Sequence, residues 1–207
     1  MEVTPDKEDS KEYNFDAICF STNPANFNGM SILNQYFMSA LCSDINKINE
    51  NKVTFGHKLH ISNNKEIDCK NSYFEVSLCK KGVKIKNKTD CFVIFLDLEY
   101  NDSLNELNKI LKNLQKLSKN DQQLYIVNFF TDEKLINKKI KDDNIAKLLG
   151  NLGFNNYDIY KMNMTIPEEI IKIIDKITLE TLQEKNLIDF QNIEESAHRS
   201  ESICIIN

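Results

Sequence analysis

The segment Asp90-Cys-Phe-Val-Ile-Phe-Leu-Asp-Leu98 decides the fold that this sequence predicts. Its six successive apolar residues, Cys91 to Leu96, have the length of a strand and are too few to cross a membrane. A strand that is apolar at every position, rather than at alternate positions, is typical of a sheet with both faces covered. The segment therefore predicts a central strand between two layers of helices.

Alternating helix and strand patterns surround this segment. After it, helices with one apolar stripe alternate with short apolar strands, which implies parallel strands joined by right-handed crossovers. Before it, one strand and one helix precede a hairpin of two strands. The predicted helices cover 29–42, 102–118, 142–152 and a segment that begins near Pro167, and the predicted strands cover 15–20, 53–61, 73–78, 91–98, 124–130 and 154–160. We expect an α/β fold: a mixed, mostly parallel six-stranded sheet with helices on both faces.

Two polar segments interrupt this pattern. Residues 43–52 show no apolar alternation, and we expect a loop there. Residues 80–89 are rich in lysine around a short apolar alternation, which predicts an edge strand protected by charge. Attraction of these lysines to an anionic membrane or an acidic partner is the alternative interpretation. The lysines are Lys80, Lys81, Lys84, Lys86 and Lys88.

The composition limits the class of function. The 207 residues suit one globular domain, and the net charge of −5 argues against a general nucleic-acid binder, which needs a basic surface. Arg199 is the single arginine, so bidentate recognition of phosphate by guanidinium groups is nearly absent. The first residues lack the apolar core of a secretory signal, and the six cysteines show no CxxC spacing. We expect a cytoplasmic protein with reduced thiols.

The sequence predicts neither a metal site nor a catalytic group of Ser, His and Asp. His57 and His60 have the spacing HxxH, with Cys69 nearby. Residues i and i+3 of a strand point to opposite faces, so the two imidazoles do not converge on one ion. The third histidine, His198, lies in the polar C-terminal segment, far from both along the chain.

Three acidic residues follow predicted parallel strands. Asp97 and Glu99 come at the end of the strand that begins at Cys91, and Asp132 follows the next strand. Ligands often bind at the carboxyl ends of parallel strands. The alternative is that Asp97 and Glu99 form the polar end of a buried strand and that Asp132 caps the following loop.

The element order of residues 13–185 resembles the small GTPase (Ras/Rab-like) domain. The segment from Asp90 to Leu104 is similar to the family's fourth strand and the helix that follows it. Leu124-Tyr-Ile-Val and Leu152-Gly-Phe-Asn-Asn-Tyr-Asp-Ile are similar to its last two strands. The resemblance implies a P-loop-like domain at 13–185. The polar, charged composition of the two ends predicts a disordered tail at 1–12 and a polar acidic tail at 186–207.

The nucleotide motifs of that family are degraded in this sequence. Its phosphate loop, G-x-x-x-x-G-K-S/T, corresponds to Pro24-Ala-Asn-Phe-Asn-Gly29-Met30-Ser31, where proline replaces the first glycine and methionine the phosphate lysine. The D-x-x-G motif corresponds to Leu78-Cys-Lys-Lys-Gly82, which lacks the acid. The N-K-x-D motif keeps only Asp132. The resemblance therefore implies a pseudo-GTPase with no catalytic residue and no cofactor, and it leaves enzymatic activity undecided, leaning against it.

Two families of degenerate GTPase-like domains are similar to this chain. One is the N-terminal domain of p34-type alpha- and gamma-adaptin-binding proteins, and the other is the family of centromere protein M. The first implies an adaptor in vesicle trafficking that binds other proteins, with adaptins as candidate partners. The second implies a structural subunit of a kinetochore-type complex. A third reading is a divergent guanine-nucleotide switch that retains Gly29, Ser31 and Asp132.

The last four residues, Cys204-Ile205-Ile206-Asn207, fit the C-a-a-X pattern of prenylation. A prenyl group on Cys204 would allow peripheral membrane association, and an unmodified cysteine in a polar tail is the alternative. A Cys204→Ser change distinguishes the two. Loss of the lipid mass and of membrane partition in the variant indicates prenylation, whereas unchanged mass and partition exclude it.

Overall fold

A seven-stranded sheet with helices on both faces forms the part of the protein that the computed structural model describes, residues 13–23, 25, 29–39, 42–61, 65–76, 89–117 and 122–185. The strands are β1 (Asn14–Ser21), β2 (Cys42–Asn49), β3 (Lys52–Ile61), β4 (Lys65–Val76), β5 (Cys91–Asp97), β6 (Gln123–Phe130) and β7 (Tyr157–Asn163). The helices are α1 (Gly29–Ser39), α2 (Ser103–Leu117), α3 (Asp142–Asn151) and α4 (Pro167–Glu184). A short 3₁₀ turn spans Glu133–Leu135.

The strand order is β2-β3-β4-β1-β5-β6-β7. β4, β1, β5, β6 and β7 run parallel to one another, and β3 and β2 complete the sheet in antiparallel pairs. This arrangement confirms the predicted α/β fold with a mixed, mostly parallel sheet. The β3–β4 pair is the predicted hairpin.

The predicted strand count of six was wrong because β2 occupies residues for which we expected a loop. The side chains from Ser43 to Ile48 are all exposed, so the segment has no buried face and no apolar alternation. Its strand conformation comes from hydrogen bonds to β3, with two register shifts. Pairing of this kind depends on the neighbouring strand and leaves no periodic signal in the sequence.

The central strands separate two apolar cores. In β5, Cys91, Val93 and Phe95 pack on the face that α1 and α4 cover, whereas Phe92, Ile94 and Leu96 pack on the face of α2 and α3. Every residue of β5 and of β6 is buried. The uninterrupted apolar run therefore has the cause that the sequence suggested: helices cover both faces of the sheet.

Several boundaries differ from the predicted ones. β4 begins at Lys65, eight residues earlier than expected, and β7 lies three residues later. Residues 77–88, which include most of the lysine-rich segment, lie outside the described residues, as do the predicted tails at 1–12 and 186–207 and with them Cys204. Within the described ranges, no helix is both long and apolar enough to span a lipid bilayer.

The ends of the later helices follow the chemistry of their sequence. Pro167 stands in the first turn of α4, where its missing N–H group is not needed. After α3, Gly153 adopts a positive φ of 78° and donates its N–H to the Gly150 carbonyl at 3.1 Å. This left-handed residue ends α3, as expected of a glycine at that position.

Two glycines near this helix end provide a matched pair of substitutions. A Cβ at Gly150 or Gly153 meets nothing within 4 Å, so sterics with neighbours do not separate them. Gly153→Ala should destabilise the fold by about 1 kcal/mol because its φ disfavours a side chain. Gly150→Ala, inside α3, should stabilise it by roughly 0.5–1 kcal/mol.

Urea unfolding of both variants measures the two effects. Equal effects on the free energy of unfolding would contradict the assignment of the left-handed conformation to Gly153.

Candidate functional site

The carboxyl ends of β1 and β5 lie side by side where the connections that follow the two strands leave toward opposite faces of the sheet. β1 leads into α1 on one face, and its neighbour β5 leads into α2 on the other. In open α/β sheets, ligands bind in the crevice that such a divergence opens. This carboxyl edge, including the loops after β6 and β7, is the candidate functional site.

Four buried polar residues fill the space between β1 and β5. Asn23 Nδ2 donates to Asp97 Oδ2 at 2.7 Å, and Thr22 Oγ1 lies 3.1 Å from Ser103 Oγ. Thr22 Oγ1 also accepts the Asp97 N–H at 3.0 Å, and Ser103 Oγ donates to the Asp97 carbonyl at 2.5 Å. All four are at most 7% exposed. These groups join the start of α2 to the end of β1, and they satisfy one another.

Glu99 joins the loops after β5 and β6. Its carboxylate accepts the backbone N–H groups of Thr131 and Asp132, the latter at 2.8 Å, and the Thr131 hydroxyl at 2.8 Å. Partial burial raises the pKa of Glu99, but the hydrogen bonds from Asp132 and Thr131 outweigh it, so the pKa lies below its usual value. Glu99 therefore stays ionised and neutralises exposed backbone donors.

The three residues that the small-GTPase resemblance singled out follow β1 and β6 at this edge. Gly29 and Ser31 are in the first turn of α1, and Asp132 follows β6. Asp132 Oδ1 accepts the Lys134 N–H at 2.9 Å and caps the 3₁₀ turn, the capping role expected from the sequence. Met30 is 8% exposed and packs in the core beneath α1.

A second polar cluster lies beneath α1 and α4, where the sequence predicted no catalytic arrangement. His57 on β3 lies 2.7 Å through Nδ1 from the Tyr36 hydroxyl and 2.9 Å through Nε2 from Ser72 Oγ. Tyr36 donates to Asp175 Oδ1 at 2.7 Å. Since the carboxylate only accepts, Tyr36 uses its one hydrogen there, and His57 Nδ1 must carry a hydrogen. Nε2 then accepts from Ser72.

A chain of hydrogen bonds runs from Ser72 through His57 and Tyr36 to Asp175. It resembles a catalytic arrangement in which a serine nucleophile is paired with a histidine base and an orienting acid. However, Ser72 is fully buried and His57 is 2% exposed, so no substrate reaches the serine. Burial lowers the pKa of His57 to about 4, which keeps the ring neutral. The cluster fastens two helices to the β3–β4 hairpin and is structural.

The sequence held little signal for this cluster because its members come from four separate elements. Cys69 is buried opposite His57 on β4. In the described residues, no group of three His, Cys, Asp or Glu side chains could hold a metal ion. The side chain of His60 is not among those that the structure describes.

Comparison of the sequence with protein-family models and with curated proteins finds no match. Function is therefore inferred from the geometry of the chain's own residues.

The buried imidazole makes stability depend on pH. Below its ordinary pKa of 6.5, His57 binds a proton in the unfolded chain but not in the folded one, until about pH 4. The free energy of unfolding should therefore fall as pH falls through this window, by roughly 2 kcal/mol at pH 5 from this residue. The facing groups are Tyr36, Cys42, Cys69, Ser72 and Asp175.

Urea unfolding at pH 7.5 and pH 5 checks this for the natural chain and for His57→Gln. The variant should lose less stability than the natural chain over this interval. The same loss in both proteins would show that His57 is not the titrating group.

Proposed function

We propose that this chain is a non-catalytic scaffold with a small-GTPase-like domain, which acts through contact with other proteins in the cytoplasm. The observation that carries the proposal is the position of Met30. It stands where the phosphate loop needs a lysine, and its thioether is buried in the core beneath α1. A buried thioether supplies no charge to the β- and γ-phosphates of a nucleotide.

The polar groups of the carboxyl edge support the same proposal. A phosphate site needs free backbone N–H groups or cations at the ends of the strands. Here Asp97 and Glu99 place carboxylates at that edge, and Glu99 takes the N–H groups of Thr131 and Asp132. Carboxylates repel phosphate, and donors already bonded to them are not free for a ligand.

Exposed apolar side chains at the same edge favour a protein partner. Tyr100 follows β5, Leu135 follows β6 and Ile166 follows β7, and they are 37%, 60% and 38% exposed. Because the three strands are parallel, these residues belong to one end of the sheet. Apolar side chains gathered at one end of a sheet are typical of a surface that another protein covers.

The resemblances identified in the sequence suggest the first partners to test. Adaptins are the expected partners of an adaptor in vesicle trafficking, and inner-kinetochore subunits are the expected partners of a structural subunit. Prenylation of Cys204 would bring such an adaptor to a membrane.

Nucleotide occupancy tests the first half of the proposal. We expect the natively purified, then denatured, protein to release no guanine or adenine nucleotide. GTP or GDP with magnesium should leave its melting temperature unchanged, since only a ligand of the folded state raises it. Stoichiometric GDP or GTP would overturn the proposal.

An Asp132→Ala variant sharpens this experiment. A shift with GTP that the variant loses would support the divergent switch that uses Gly29, Ser31 and Asp132. A shift that the variant keeps would place the nucleotide elsewhere.

Capture of partners tests the second half. The chain should retain adaptins from an extract, and Leu135→Ser should weaken retention several-fold by removing the most exposed apolar side chain of the edge. Met38→Ser, at an 88% exposed position near the end of α1, is the control and should retain adaptins normally. Recovery of kinetochore subunits instead would favour the structural-subunit reading, and equal losses in both variants would exclude the carboxyl edge as the surface.

A further inference from the structure

We propose that β2 is a self-association strand, which pairs antiparallel with β2 of a second copy of this chain. The proposal does not depend on the proposed function. It rests on the exposure of β2, on the apolar side chains around it and on the charges it carries.

Among the described residues, no strand lies on the outer side of β2. β2 stands at the end of the strand order, and β3 is the strand with which it pairs in the described residues. The six residues from Ser43 to Ile48 are exposed, so none of the described helices α1 to α4 covers this strand. An edge strand of this length offers a row of N–H and C=O groups to another strand.

Exposed apolar side chains are concentrated in the segment of the chain that contains β2. The described residues expose six large apolar side chains, and three of them lie between residues 38 and 48. Ile45 is 43% exposed, Ile48 is 54% exposed, and Met38, near the end of α1, is 88% exposed. Contact with another chain would remove this surface from water.

The charges of β2 point to a second copy as the partner. Asp44 and Lys47 are exposed, and neither forms an ion pair or side-chain hydrogen bond with a described residue. The register shift between Ser43 and Asn46 sets both Asp44 and Ile45 against Phe55 of β3, so Asp44 shares a face of the sheet with Lys47, which pairs with Val53. Antiparallel pairing centred on Asn46 then places Asp44 of each copy beside Lys47 of the other. The strand therefore supplies its own charge complement, twice, in a symmetric contact.

The opposite edge of the sheet shows the contrast. On β7, Asp158 accepts from Gln123, and Lys161 lies over the Phe130 ring at 5.1 Å. The Tyr160 hydroxyl donates a hydrogen bond to the Glu180 carboxylate. These polar groups of β7 thus have partners within the chain, whereas Asp44 and Lys47 of β2 have no side-chain partner among the described residues.

The register shifts of β2 set the extent of the contact. They fall between Ser43 and Asn46 and between Lys47 and Asn49, and Asp44 adopts a φ of 51°. Asn46 and Lys47 form the regular step between them. A short central ladder implies a small interface and a concentration-dependent dimer.

Sedimentation equilibrium of the full chain tests the proposal. The mass should rise with concentration from 24.1 kDa toward twice that value. Ile48→Lys should abolish the increase, whereas Lys112→Glu, a charge change on the exposed face of α2, should not. Circular dichroism confirms that both variants fold.

Charge variants separate this contact from other modes of association. Lys47→Glu places two acids side by side at both ends and should weaken the dimer roughly tenfold. Adding Asp44→Asn to Lys47→Glu removes the repulsion and should recover part of the affinity, because asparagine tolerates the left-handed conformation at residue 44.

A cysteine at the proposed axis gives a direct readout. Asn46→Cys should form a disulfide between copies under oxidation, since residues facing each other across antiparallel strands lie within reach of a disulfide. Lys112→Cys on the exposed face of α2 is the control and should not cross-link. A single-chain mass at every concentration, a dimer indifferent to Ile48→Lys and Lys47→Glu, or pairing with a different protein's strand alone would each overturn the proposal.

Discussion

The burial of both faces of β5 and β6 is the constraint on which the rest of the structure depends. Strands that are buried at every position and mostly apolar cannot face water on either side, so helices must lie above and below them. α1 and α4 cover one face, and α2 and α3 cover the other. Each large apolar side chain buried in this way contributes roughly 1.5–3 kcal/mol.

The carboxyl edge follows from that constraint. Connections that leave toward opposite faces open a crevice between β1 and β5, and the backbone there needs hydrogen-bond partners. In this chain, Asn23, Asp97 and Ser103 satisfy one another across the crevice, and Glu99 satisfies the loop after β6. The edge is therefore held together by its own side chains.

The cluster around His57 has a different role. A buried hydrogen bond adds about 1 kcal/mol, whereas removal of one partner costs roughly 1–3 kcal/mol. Tyr36, Ser72 and Asp175 consequently contribute little net stability but make any other placement of the hairpin costly. The apolar cores supply the stability, and this cluster fixes how α1 and α4 sit on β3 and β4.

The sequence by itself determined the fold class, since the apolar run at Cys91–Leu96 and the helical stripes report burial directly. It also predicted that Gly153 ends a helix, which its positive φ of 78° confirms. Only the tertiary structure decided that residues 42–49 form a strand. The segment has no apolar periodicity, and its strand conformation comes from hydrogen bonds to β3. The tertiary structure alone brought Tyr36, His57, Ser72 and Asp175 together, because hydrogen-bond partners from four elements become neighbours only after the sheet and helices pack.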